Sequence, residues 1–152
     1  MAGMLNPETQ TKIRSALRSR WKMLREAEEL YATTRAAVDG LHSPTISPDG
    51  GIRSKGTTSD LTARQAAYLS RAENKLLAAR AWVKLGDDVQ GLISEEAQDV
   101  FDLLYTDCLS AAAAAKLLGV SRYVIYRLQE EIEVKAAMLA VERRLLKPWT
   151  GR

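Results

Sequence analysis

Between Lys116 and Arg127 the sequence KLLGVSRYVIYR gathers a lysine, a serine, two arginines and two tyrosines. The chemistry open to this set is recognition rather than bond making. A guanidinium can donate two hydrogen bonds to a guanine edge or to a phosphate, and an ammonium meets phosphate as a point charge. A tyrosine hydroxyl can bond a phosphate while its ring packs on a thymine methyl. No acidic residue lies between Asp107 and Glu130, so no neighbouring carboxylate in the sequence neutralises the group. Lys116, Ser121, Arg122, Tyr123, Tyr126 and Arg127 are therefore the candidate DNA-binding residues. The competing reading is an ordinary helical corner with a solvated polar face, because Gly-Val-Ser after an alanine-rich helix serves either purpose.

The elements that must position these residues are legible around them. Ser110 is placed to cap a short helix, and Ala115 is small enough to let a second helix come close. Gly119 stands where a positive φ would end the first helix, and Val120 can plug the turn. Ser121 can cap the next helix. Ala114, Leu118, Ile125 and Leu128 are expected to share a core with Val100, Phe101 and Leu104 of a preceding helix, leaving Arg122, Tyr123, Tyr126 and Arg127 outside. No breaker occurs from there to Pro148, so the last helix extends well past the motif, and residues 148–152 read as a frayed tail.

Upstream, Asn6-Pro7-Glu8 has the cap, the first-turn proline and the first-turn acid of a helix start. The next glycine or proline is Gly40. Leu17, Leu24, Tyr31 and Val38 recur every seven residues, with Ile13 and Ala27 between them, and this stripe suits a helix laid along another helix. Arg20 and Thr34 fall where apolar residues would be expected. Residues 40–60 hold four of the nine glycines and two of the four prolines and read as a long loop. Ser59 or Asp60 is expected to cap a second long helix with its own stripe at Leu69, Ala72, Leu76, Ala79 and Val83. Trp21 and Trp82 sit off these stripes, which hints at a further surface to cover. GDDVQG (86–91) reads as an interruption, after which Ser94 caps a short helix running to about Asp107. No segment shows sustained two-residue alternation. The expected fold is all-α, with a long N-terminal helical hairpin (1–90), a C-terminal helix–turn–helix (91–147) and the tail.

Composition narrows the function. The formal net charge is +3 over 152 residues. It is unevenly spread: residues 110–152 carry eight basic against four acidic side chains, whereas 61–109 carry five against eight. Cys108 is the one cysteine, so neither a disulfide framework nor a multi-cysteine zinc site is available, and its apolar neighbours suggest a small core residue. The one histidine, His42, lies in the loop without a partner. There is no glycine-rich phosphate loop and no nucleophile–base constellation. An enzyme, a cofactor and a metal site are therefore not expected. No apolar run approaches the roughly 18 residues of a membrane span, and the N-terminus lacks a signal-peptide pattern, so the expectation is a cytoplasmic protein.

The segment LSAAAAAKLLGVSRYVIYRLQEEI resembles the helix–turn–helix of sigma-factor region 4. It resembles more closely the phage-encoded regulators of the ArpU and RinA type. The residues carrying the likeness are Leu118, Gly119, Ser121, Ile125, Tyr126, Arg127 and Leu128. The layout is similar too: a long helix, a Ser/Pro/Gly loop ending in Ser59-Asp60, and a second long helix. The acidic residue usual in the first helix of that motif is replaced here by SAAAAAK. The resemblance implies a transcriptional regulator of phage or integrated-element genes that binds promoter DNA, and leaves open whether RNA polymerase is also a partner. Two other readings compete. A phage small terminase subunit also joins such a motif to a helical hairpin, but usually with the motif near its N-terminus. A helical adaptor would use the motif only as structure, and the concentration of positive charge at the C-terminal third speaks against it. Self-association through the hairpin would suit a two-fold DNA site, although the stripes can equally be satisfied within one chain.

Overall fold

Thr9 donates its backbone N–H to Asn6 Oδ1 at 2.7 Å. The helix that this cap opens, α1, spans Pro7–Leu41. In the computed structural model residues 5–41 and 55–149 are described, with side chains for 5–40 and 62–149. The other helices are α2 (Lys55–Gln90), α3 (Glu95–Phe101), α4 (Ala111–Leu118) and α5 (Arg122–Glu142). No strand occurs among the described residues, and the protein is all-α. No described helix is long and apolar enough to cross a membrane. The expected loop falls largely on residues 42–54, with His42, outside the described residues.

Two expectations about α2 are corrected. It begins at Lys55, so Ser59 and Asp60 lie inside the helix rather than at its cap. It also runs through Gly86, Asp87 and Asp88 to Gln90, so GDDVQG does not interrupt it. The glycine at 86 is a close-approach residue, not a break: it is buried against Arg20. Asp88, within that expected interruption, accepts one hydrogen bond on Oδ2 from Arg143 Nη2 at 2.5 Å, and the same oxygen lies 3.7 Å from Lys84 Nζ. The Arg143 bond holds its carboxyl below the ordinary value.

The chain divides into two compact units, Met1–Lys22 with Arg80–Arg152, and Met23–Ala79. In the second, Ala27, Leu76 and Ala79 form a small core with Met23, Leu24 and Tyr31 against it. On α2 the buried positions Gln65, Ala72, Ala79 and Gly86 recur every seven residues, alternating with Leu69, Leu76 and Val83. The small side chains of Ala72 and Ala79 in this series let a facing helix approach closely.

The first unit holds the main core. Ile13 and Leu17 of α1 and Leu85 and Val89 of α2 join Val100, Phe101, Leu104 and Tyr105 with Ile125, Leu128, Ile132 and Ala136 of α5. Ser94 Oγ accepts the Ala97 N–H at 3.3 Å, and Glu95 and Glu96 occupy the first turn of α3. After Phe101 the helix widens into a π-turn over Asp102–Thr106, in which the Asp107 N–H reaches Asp102 O at 2.8 Å. Leu104 and Tyr105 are both fully buried there.

Three further expectations change. Cys108 is exposed, with φ of 55° at the corner after the π-turn, and its thiol donates to the Arg18 carbonyl at 3.6 Å. Apolar neighbours in sequence do not bury a residue that the corner turns outward. Trp149 is not frayed: with Leu145 and Leu146 it packs on the main core, after Arg144 at φ 60° reverses the chain behind α5. Of the two tryptophans off the stripes, Trp82 packs on this core whereas Trp21 is 45% exposed.

Candidate nucleic-acid interface

The corner between α4 and α5 is built from local hydrogen bonds. Ser110 Oγ accepts the Ala113 N–H at 3.1 Å and opens α4. Gly119 adopts φ 67°, ψ 34°, and the Val120 N–H returns to Ala115 O at 3.0 Å. That six-to-one bond is the closure glycine supplies at a helix C-terminus. Ser121 Oγ then accepts the Val124 N–H at 3.4 Å and opens α5. Ala114 and Ala115 are buried in the main core beside Ile125 and Leu128.

The face opposite that core carries the sequence-identified residues. Lys116 is exposed in the last turn of α4. Ser121 is exposed at the start of α5, followed by exposed Arg122 and by Tyr123, whose relative exposure is 75%. Tyr126 is 53% exposed and Arg127 is exposed. Residues four apart on a helix stack along one face, so Arg122 lies over Tyr126 and Tyr123 over Arg127. Among the described residues none of Lys116, Arg122 and Arg127 has a carboxylate within ion-pair distance.

Leu118 does not enter the core as expected and is 37% exposed; Val120, expected to plug the turn, is 39% exposed. With Val124 and Leu128 they line an open cavity of about 320 Å³ whose wall carries Glu96 and Asp99. A plug for the turn is therefore not what Val120 provides.

Further along α5 lies a buried polar cluster centred on Glu133. Glu133 of α5 is fully buried. Its Oε2 accepts from Arg14 Nε at 2.8 Å and from the Tyr105 hydroxyl at 2.8 Å. Its Oε1 accepts from Arg14 Nη2 at 3.0 Å and from Gln10 Nε2 at 3.1 Å. The carboxylate thus ties α1 and the π-turn to the helix that carries the exposed arginines. Hydrogen bonding to Glu133 raises the Arg14 pKa. Burial, then the adjacent Glu133 charge, pushes the Tyr105 phenol well above its ordinary value. In the sequence, Glu133 looked like one more acid on a charged helix. Its four-residue spacing from Gln129, and from Ala137 of the buried stripe, was the available signal.

Arg20, the misfit of the α1 stripe, is 2% exposed. It donates to the carbonyls of Leu17 at 2.7 Å and Tyr105 at 2.8 Å and to Thr106 Oγ1 at 3.0 Å. Its guanidinium lies 5.1 Å from the Phe101 ring centroid. Burial lowers its pKa. Arg20 so satisfies carbonyl groups at the end of the π-turn and fixes α1 against the segment leading into α4. Among the described residues no cluster of His, Cys, Asp and Glu could hold a metal ion. No protein-family model, curated protein or solved structure matches this chain.

Proposed function

We propose that α4 and α5 form a helix–turn–helix, supported by the α1–α2 helical hairpin, that binds duplex DNA with the first turns of α5 in the major groove. The protein then acts as a transcriptional regulator, and its resemblance to the ArpU and RinA regulators points to phage or integrated-element genes. The observation that carries the reading is the outward face of α4–α5. Lys116, Arg122, Tyr123, Tyr126 and Arg127 stand exposed together there, and no described carboxylate pairs with the three cations. In this arrangement Arg122 and Arg127 reach guanine edges or phosphates, the tyrosines meet phosphates or thymine methyls, and Lys116 contacts the flanking backbone. Ser121 sets the start of α5, whose amino end favours phosphate.

The test is selection of bound duplexes from a random library, followed by affinity measurement on the recovered sequence at several salt concentrations. The parent is expected to bind with a steep salt dependence. The double variant Arg122→Ala/Arg127→Ala is expected to lose binding while keeping its helical circular-dichroism signal, because neither side chain is part of the core. No enrichment of any sequence and no binding at low salt would leave the helical-adaptor reading in its place.

A further inference from the structure

The basic residues of the α4–α5 face are contiguous in sequence. One more cation is brought to the amino end of α4 from the far end of the chain. Arg18 of α1 is exposed, and its Nη2 donates to the carbonyl of Leu109, the residue before the Ser110 cap, at 3.1 Å. The same corner is held to the α1 backbone by the Cys108 thiol on the Arg18 carbonyl. The rotational phase of α1 is fixed here, because Leu17 is fully buried and Arg20 is 2% exposed and bonded to Tyr105 O and Thr106 Oγ1. Arg18 is therefore not free to swing around α1. Among the described residues no carboxylate lies within ion-pair distance of it, exposed Asp107 included.

We propose that Arg18, pinned to the Leu109 carbonyl at the entry to α4, is a phosphate-contacting residue of the DNA interface, supplied by α1 to the sugar–phosphate backbone beside the groove that α5 enters. The inference rests on the DNA-binding reading of α4–α5. In a helix–turn–helix the helix before the recognition helix crosses the backbone. Eight residues of α4 span about 12 Å, so its amino end lies about that far from the corner carrying Lys116, Gly119 and Ser121. A cation fixed at that end meets backbone rather than base edges. One guanidinium Nη2–H is committed to the neutral Leu109 carbonyl, which leaves the charge of the exposed side chain unneutralised. Such a contact adds affinity without sequence preference, and its signature is ionic rather than base-specific.

The experiment uses the full chain, the duplex recovered by selection and a scrambled duplex of equal length. Arg18→Gln keeps a donor for the Leu109 carbonyl and removes the charge. It is expected to weaken binding to both duplexes by the same factor, roughly five- to tenfold at about 0.1 M salt, and to reduce the slope of log K against log salt by about 0.9. Arg18→Lys should retain the parent slope. An unchanged slope with Arg18→Gln, a loss confined to the selected duplex, or a lowered melting temperature with unchanged slope would each overturn the proposal. Should Arg18→Gln not fold, Arg18→Met is read in its place, and failure of both makes Arg18 a structural residue and overturns it as well. If Arg122→Ala/Arg127→Ala abolishes binding while Arg18→Gln behaves as the parent, only this inference fails. If the parent binds no DNA, both readings fail together.

Discussion

A Cβ placed on Gly86 would come within 2.8 Å of Nε of Arg20. The absent side chain of one residue is the space in which the other's buried guanidinium lies. Arg20 spends its Nη donors on the Leu17 and Tyr105 carbonyls and on Thr106, and its Nε has no partner among the described atoms. This accounts for a glycine inside a long helix, where it costs about 1 kcal/mol relative to alanine.

Gly86→Ala is accordingly expected to lower stability despite the gain in helix propensity. Moving Arg20 strands buried polar groups at about 1–3 kcal/mol, so a net loss of about 1–2 kcal/mol is expected in urea unfolding. In an Arg20→Met background the same substitution should cost less, and the double-mutant cycle should show coupling above about 0.5 kcal/mol. Additive effects would mean that Gly86 does not serve Arg20.

The Arg14–Glu133 pair should respond unequally to loss of either partner. Glu133 is fully buried whereas the Arg14 side chain is 39% exposed. Arg14→Met leaves a buried carboxylate without its cation, which costs about 3–5 kcal/mol. Glu133→Gln leaves a cation that water can reach, at about 1.5–3 kcal/mol. Chemical denaturation of both variants checks the order, and an equal or reversed order would contradict the assigned burial.

Alkaline pH should weaken the fold through Tyr105. Its phenol is raised above the ordinary value of 10.0. Below that pH both folded and unfolded chains hold the proton. Above it the unfolded chain releases the proton while the folded chain keeps it, so stability falls as pH rises. Tyr105→Phe removes this contribution. Its urea midpoint should therefore drop less than the parent's between about pH 8 and about pH 10.5, although the variant is less stable at the lower pH. Equal drops would show that another group carries the alkaline response.

Gly119 tests backbone strain alone. Apart from its own chain neighbours, nothing lies within 4 Å of the Cβ position at this φ of 67°. Gly119→Ala should cost about 1–2 kcal/mol, and Gly119→Asn less, because asparagine tolerates this region. Calorimetric melting of the two variants decides it. An Ala variant as stable as the parent would mean that the turn can close another way.

What the sequence by itself determined is what hydrogen bonds within a few residues decide. The caps at Asn6, Ser94, Ser110 and Ser121, and the left-handed closure at Gly119, join groups no more than five positions apart. Residue type and spacing therefore specify them directly. The exposed set at Arg122, Tyr123, Tyr126 and Arg127 follows from the same local periodicity, because burying Ile125 and Leu128 turns the other face outward. Tertiary structure alone decided the rest. Glu133 meets Arg14 across 119 positions, Arg20 meets Tyr105 across 85, and Arg18 meets Leu109 across 91. In the sequence Glu133 and Arg18 are charges like any solvated one, and Arg20 shows only as a misfit in the α1 stripe, with no sign of its partners. Their environment is set by which helices pack together, and packing converted Glu133 and Arg20 into buried anchors, Cys108 into a surface residue and Gly86 into a seat for an arginine.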